Sequence, residues 1–467
     1  MAIATTSPVS GEVLKAFDEL SPEELEDKLA RAAAAASSYR HTTIAQRADW
    51  LNSAADVLER DAGTVSELIT TEIGKTLRSA ADEVGKCVAA LRFYAEHGAV
   101  FLSDVSRAGS ALGARLTYVT YQPLGVILAV MPWNFPLWQA MRFAAPALTA
   151  GNVGLLKHAS NVPQTALYME QLFREAGFPE DVFQTLLISS GTVERVLRDD
   201  RVKAATLTGS EPAGRSVAAI AGDEIKRVVL ELGGSDPFIV MPSADIERAA
   251  DVAVRARTLN NGQSCVNAKR FFIHTDIYDA FLAAFVTKMK ALVVGDPIEP
   301  GTDIGPLATE AGREDVEAYV NDAVDKGATV LTGGKRIERP GWFYPPTVIT
   351  DVTREMRMFG EEVFGPVAQV FPVSSLAEAV DLANEHPYGL GSNLWSEDEA
   401  ERETFIRDIQ SGMAFINGHT ASYPEIPFGG IKRSGYGREL ADVGMKEFMN
   451  AKTVWVGESA SPETSSR

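Results

Sequence analysis

A change of rhythm near residue 126 governs what this chain can become. From there, short apolar runs (Val126–Met131, Val153–Leu156, Phe183–Ile188, Ala204–Leu207) alternate with helical segments at Pro163–Ala176, Thr192–Asp199 and Pro212–Ala221. Continuous apolar strands separated by helices imply a parallel sheet covered on both faces, and such sheets bind ligands at the carboxyl ends of their strands. A second alternating region follows, with Arg227–Leu230, Pro237–Val240, Arg270–His274, a helix at Tyr278–Leu292, Ala328–Leu331, Val367–Phe371 and Met413–Ile416. The fold class is therefore α/β, with two α/β domains. The first ~110 residues read as helical instead. Ser21-Pro22-Glu23-Glu24 is a capping box with proline at the first helical position, opening a helix to Tyr39. Similar patterns cover Thr43–Arg60 and Ala62–Val105, and the alternation of Arg115–Tyr121 reads as a partly exposed strand or arm.

The stretch Gly125–Gly151 is apolar enough to raise the question of a membrane span. Pro132, Asn134, Pro136, Gln139 and Arg142 interrupt it, so a buried strand, a sharp turn and a helix are expected. With 44 basic against 63 acidic residues, the net charge of −19 argues against nucleic acid as a partner. An anionic small molecule then needs a local basic pocket. Two cysteines, Cys87 and Cys265, cannot form a disulfide framework, and the N-terminus has no signal-peptide pattern, so a cytoplasmic protein is expected. No cluster has metal-ligand spacing. The polar tail 458–467 reads as disordered.

Five positions stand out chemically, most with a plainer reading beside them. Cys265 sits in Asn260-Asn-Gly-Gln-Ser-Cys, the setting of a tight turn near a cleft; an inert buried thiol is the alternative. None of the six histidines stands in a motif that pairs with it, which disfavours a cysteine hydrolase. Glu231 follows an apolar strand beside a Gly-Gly turn, as a solvated strand-end carboxylate or a desolvated general base. Asn134, framed by Pro132-Trp133 and Phe135-Pro136, is a turn former or a rigidly aimed amide donor. Thr208–Ser216 nearly spells a P-loop, but Arg215 replaces the lysine; what remains is a Gly209-Ser210 turn at a helix start, a fair phosphate site. Lys157 ends another strand, and Cys87 lies in a helical pattern and reads as structural.

Taken together, these segments resemble the aldehyde dehydrogenase superfamily. Seven motifs occur in order: Pro-Trp-Asn-Phe-Pro at 132–136, Leu-Lys-His-Ala-Ser at 156–160, Thr-Gly-Ser at 208–210, Glu-Leu-Gly-Gly at 231–234, Gly-Gln-Ser-Cys at 262–265, Glu-Glu-Val-Phe-Gly-Pro at 361–366 and Pro-Phe-Gly-Gly at 427–430. The narrower match, carried by residues 121–127 and 230–241, is to bacterial succinate-semialdehyde dehydrogenases of a short NADP-linked type.

The resemblance implies an aldehyde dehydrogenase-like fold. A discontinuous Rossmann-like cofactor domain would span 1–114 and 125–233, an α/β catalytic domain 234–440, and a β oligomerisation arm 115–124 with 445–457. It implies Cys265 as nucleophile, Asn134 and the Cys265 N–H as oxyanion donors, and Glu231 as the base that activates water. Trp133, Asn134, Lys157, His158, Ala159, Ser160, Gly209, Ser210, Leu232, Glu362 and Phe364 would line the cofactor. Ser160 stands where NAD-preferring members place a glutamate, which favours NADP with NAD possible. Arg142, Arg257, Ser422 and Phe428 would meet the substrate, with pairing to an internal carboxylate as the alternative for Arg142. A second arginine of well-known members is replaced by Leu259, and Asn267 stands where some relatives carry a second cysteine, so no redox switch is expected. The implied assembly is a homodimer or homotetramer acting on a small aldehyde. Three alternatives stay open: another semialdehyde such as glutarate semialdehyde or a neutral aldehyde, a CoA-acylating enzyme, and a catalytically silent protein on the same fold.

Overall fold

The computed structural model describes residues 3–109 and 112–457; the tail expected to be disordered lies outside them. Two sheets organise the molecule. The first has six strands in the order Gly435–Tyr436, Arg227–Glu231, Val202–Thr208, Val126–Met131, Val153–His158 and Phe183–Thr185, parallel except for the Gly435–Tyr436 edge. The second has seven: Thr329–Thr332, Thr347–Thr350, Val367–Val373, Ala268–His274, Asp236–Val240, Asn393–Trp395 and Phe415–Ile416, with only the first pair antiparallel.

Strands buried on both faces explain the unbroken apolar runs. In the second sheet Phe238 and Phe271 face one core while their neighbours Ile239 and Phe272 face the other. Each such side chain contributes about 1.5–3 kcal/mol by leaving water. The apolar stretch after residue 125 is the strand Val126–Met131, a Pro-bracketed turn, and a helix Pro136–Thr149 in which every residue is buried. Among the described residues, no helix is long and apolar enough to cross a membrane.

Three expectations need correction. The N-terminal region does not begin helical. Ile3–Thr6 and Val13–Phe17 form an antiparallel hairpin, closed by the Ser7 N–H donating to the Glu12 carbonyl at 2.8 Å. The Ala62–Val105 run is two helices, Ala62–Ile73 and Leu77–Phe101. Gly74 ends the first at φ +74°, where a side chain is strained, and Thr76 caps the second through the Ser79 N–H. Finally, the chain rejoins the first sheet earlier than residue 440, because Gly435 pairs with Glu231.

A separate antiparallel ribbon pairs Leu116–Pro123 with Met449–Val456 in continuous register, from Leu116↔Val456 to Pro123↔Met449. Val105–Ser106 adds a third, short strand. The ribbon exposes Leu116 and Trp455, which are 45% and 54% accessible.

Candidate active site

The parallel strands of the first sheet end at Met131, Thr208 and Glu231, and the turns that follow carry Asn134, Gly209-Ser210 and Gly233-Gly234. This is the edge where an open α/β sheet binds ligands. The second sheet supplies the loop that delivers Cys265 to the same place.

That loop is wired by its polar residues. Asn260 and Asn261 adopt left-handed conformations at φ 55° and 56°, a region asparagine tolerates better than most residues. The Asn260 amide donates to the carbonyls of Asn134 (2.6 Å) and Gln263 (3.0 Å). The Asn261 amide donates to those of Gly74 and Pro306, both at 2.9 Å. Gly262 completes the turn at φ +79°, so close to the Gly365–Pro366 peptide that a Cβ would collide with it. Beneath the loop, buried Lys269 donates to the carbonyls of Ser264 and Cys265, both at 2.8 Å, and pairs with Glu362 at 3.0 Å. The turn-like composition around Cys265 is thus the signature of a rigid mount.

Two cavities share Cys265 in their linings. One is lined by Pro132, Trp133, Asn134, Thr208, Gly209, Ser210, Leu232, Gly233, Glu362 and Phe364 together with Cys265. The other, of ≈ 140 Å³, brings together Lys86, Phe135, Trp138, Arg142, Leu259, Ser422 and Phe428 around Cys265. Its volume lies well below the ~300–1,000 Å³ of sites for drug-sized ligands, so it suits a small substrate. Gln139 borders both cavities.

Asn134 is nearly buried, and its amide donates to the Gln263 carbonyl at 3.1 Å. An NH₂ group carries two donors, so one remains for a ligand oxygen. Among the described residues, the Cys265 N–H makes no hydrogen bond. The helix carrying Asn134's turn is held at its start by buried Glu83, which accepts from the Leu137 and Trp138 N–H groups, both at 2.9 Å, and pairs with buried Lys75. Burial pushes the Cys265 thiol up to about 12; the Arg142 cation opposes that shift and Glu362 reinforces it. Cys87 is sealed in the core, as expected of a structural thiol.

Glu231 is buried with neither carboxylate oxygen hydrogen-bonded. Burial, and then the neighbouring Glu439 carboxylate, raise its pKa well above the ordinary range, with Arg142 and Arg438 opposing. Its carboxyl packs toward Gly429 and lines neither cavity, although its charge is felt at the thiol.

The cavity that holds Glu362 also takes in a helix start and two aromatic walls. Ser210 caps the helix Glu211–Asp223 without a side-chain hydrogen bond, leaving the helix N-terminus open to a phosphate. Trp133 and Phe364 meet edge to face, 5.7 Å apart, as apolar walls. Lys157 is buried at its strand end, which lowers its pKa, and Ser160 lies partly exposed beside the same turn. Neither Lys157, His158, Ala159 nor Ser160 borders the cavity that holds Glu362.

Three site expectations change. His158 is a brace: Nε2 donates to the Pro136 carbonyl at 2.7 Å and Nδ1 accepts from the Ala159 N–H at 2.9 Å, leaving no ring nitrogen for a ligand. Arg257 is fully buried and donates to the carbonyls of Gly262, Ala268 and Gly365, so it supports the nucleophile loop from behind and does not face substrate. Arg142 does line the substrate cavity, but it is paired with buried Glu439, stacked 4.3 Å over Phe428, and hydrogen-bonded to Thr208. Lys269, Lys75, Glu83, Glu439 and Lys86 carried no sequence signal that singled them out. Lys269 lies in a strand, Glu83 and Lys86 in a helix, and Lys75 and Glu439 outside both, and each gains its role from contacts that the fold makes.

The aldehyde dehydrogenase family pattern matches residues 1–454. The chain is 60% identical over 462 residues to a succinate-semialdehyde dehydrogenase [NADP(+)] of Mycolicibacterium paratuberculosis, covering 99% of this chain and 98% of that one. It is 59% identical over 456 residues to the protein of that name from Mycobacterium leprae, covering 98% and 100%. Among solved structures it is similar to succinic semialdehyde dehydrogenase from Streptococcus pyogenes in complex with NADP+, at 37% identity and a TM-score of 0.95, covering 98% and 100%. A family match over residues 1–454, with relatives that cover nearly the whole chain, leaves one conclusion: this chain belongs to the aldehyde dehydrogenase family.

Proposed function

We propose that this protein oxidises succinate semialdehyde to succinate with NADP. The observation that carries the reading is that one sulfur, Cys265, borders both the cofactor-shaped cavity and the small substrate cavity. The substrate and cofactor are named on the strength of the near-full-length relatives that bear those names.

NADP, when bound, supplies the acceptor for the aldehyde hydride. The protein's own residues do the rest. Cys265 adds to the aldehyde carbon, while the free Asn134 donor and the Cys265 N–H stabilise the oxygen; one such donor is typically worth ~10²–10³ in rate. The acyl group stays on sulfur as a thioester. Glu231, whose carboxylate oxygens carry no hydrogen bond and lie toward Gly429, would turn toward the sulfur to take the proton of the attacking water. Its raised pKa means turnover rises with pH as the carboxyl ionises. Lys157 and Ser160 would hold the 2′-phosphate, Gly209 and Ser210 the pyrophosphate, and Glu362 the nicotinamide ribose.

Initial rates across a panel of aldehydes with NADP and NAD test this directly. Cys265→Ala is expected to abolish turnover, and Glu231→Gln to give a burst of reduced cofactor followed by a stall. A normal steady-state rate in Glu231→Gln removes it as the base, and a CoA requirement would replace water by a thiol acceptor. We infer further that the ribbon of Leu116–Pro123 and Met449–Val456, with exposed Leu116 and Trp455, joins subunits into a homodimer or homotetramer. A solution mass of a single 50.3-kDa chain would remove that assignment.

A further inference from the structure

Among the described residues, two cations line the small cavity, Arg142 and Lys86. Arg142 is paired with Glu439, hydrogen-bonded to Thr208 and stacked over the face of Phe428. Lys86 projects from the helix Leu77–Phe101 into the same cavity, with its ammonium 4.4 Å over the Trp138 ring. Among the described residues no carboxylate lies within ion-pair distance of it; its one hydrogen bond goes to the Ser422 hydroxyl at 2.7 Å. Glu83, which also borders the cavity, is engaged by Lys75 and the two helix-start amides, and Asp82 sits at the exposed rim.

Hydrogen-bond counting then fixes what fits. The Ser422 oxygen accepts from both Lys86 Nζ and Trp138 Nε1, at 2.7 and 2.9 Å. A hydroxyl has two acceptor sites, so its own proton must donate elsewhere. An ammonium has three donors, of which Lys86 uses one here. The cluster therefore presents donors only, on an apolar wall of Trp138 and Phe135, beside a cation without a counter-ion. That is the chemistry of a carboxylate receptor. Burial, aided by the Arg142 charge, also lowers Lys86 to about 8, and a bound anion would restore its full charge.

We propose that Lys86, beside Ser422, is a specificity-determining contact that receives the distal carboxylate of the aldehyde. This rests on the acid-tailed substrate proposed above.

The test compares kcat/KM for succinate semialdehyde and for butanal, its tail-less analogue, in the full-length wild type, Lys86→Met and Lys86→Arg, each checked for an unchanged thermal midpoint. A charge-assisted hydrogen bond of the usual strength corresponds to roughly a tenfold to hundredfold effect. Lys86→Met should lose that factor in selectivity for the acid aldehyde over butanal, mostly through KM, and Lys86→Arg should recover a large part of it. A wild type that does not distinguish the two aldehydes sinks the substrate reading and this assignment with it. A selective wild type whose selectivity survives Lys86→Met sinks the Lys86 assignment alone. An equal loss on both aldehydes would mean that Lys86 only supports the fold of the site, which also overturns it.

Discussion

Alkylation of the ligand-free enzyme gives a direct reading of the nucleophile. Burial holds the Cys265 thiol at about 12, against ~8.5 for an ordinary cysteine. At pH 7 that difference lowers the thiolate fraction roughly 3,000-fold. A more basic thiolate is also a stronger nucleophile, and a Brønsted slope of about 0.45 returns roughly 40-fold. The net expectation is a second-order rate with iodoacetamide about 80-fold below that of free cysteine at pH 7. The rate should then climb about tenfold per pH unit through pH 10, because the thiol is still far from half-ionised. Cys87, sealed in the core, stays silent, so intact-mass analysis should show a single adduct. A plateau below pH 9, or a pH 7 rate matching free cysteine, would refute the argument that desolvation outweighs the Arg142 cation at this sulfur.

Two predictions concern the frame. Lys75→Met strips the partner from the buried Glu83 carboxylate that holds the start of the Pro136 helix; losing one member of a buried pair costs about 3–5 kcal/mol, read as a lowered denaturation midpoint in urea. An unchanged midpoint would mean that the Leu137 and Trp138 amides alone satisfy Glu83. His158 is held neutral in the fold, with its pKa depressed from 6.5 to about 4 by burial. Its contribution is therefore full above pH 6.5 and is lost as pH falls toward 4, because the unfolded chain takes up the proton first. Linkage puts the loss at about 2 kcal/mol between pH 7 and pH 5. His158→Gln should flatten the stability–pH curve by that amount, and parallel curves for the two proteins would contradict the neutral-brace reading.

The chemistry-bearing turns were legible because a turn is a local event. Pro-Trp-Asn-Phe-Pro, Gly-Ser and Gly-Gln-Ser-Cys each encode a backbone shape within a few residues, and the apolar runs before them encode the parallel strands. The hairpin at Ile3–Thr6 and Val13–Phe17 was hidden for the opposite reason. Its outer strand is exposed, so it shows no burial pattern, and Thr5 is placed by a hydrogen bond to Glu72, 67 residues away. Arg142 and Arg257 show the same limit at the site. Position along the chain identified each as a cation near the substrate. Only the fold identifies Glu439 as the carboxylate that pairs with the first, and shows that carbonyls from residues 262, 268 and 365 surround the second.

The charges around Cys265 divide into those that hold and those that receive. Lys269, Arg257 and Arg142 are buried, with carbonyls or carboxylates as partners. A buried, paired charge adds little net stability over an apolar replacement, but removing one partner is expensive, so such groups enforce a single arrangement. That is what a covalent catalyst needs: sulfur, oxyanion donors and base must keep their mutual positions through two chemical steps. Around them, Asn134 keeps one amide donor and Lys86 two ammonium donors beyond their hydrogen bonds, the donors that the proposed reaction assigns to the aldehyde oxygen and to the acid tail.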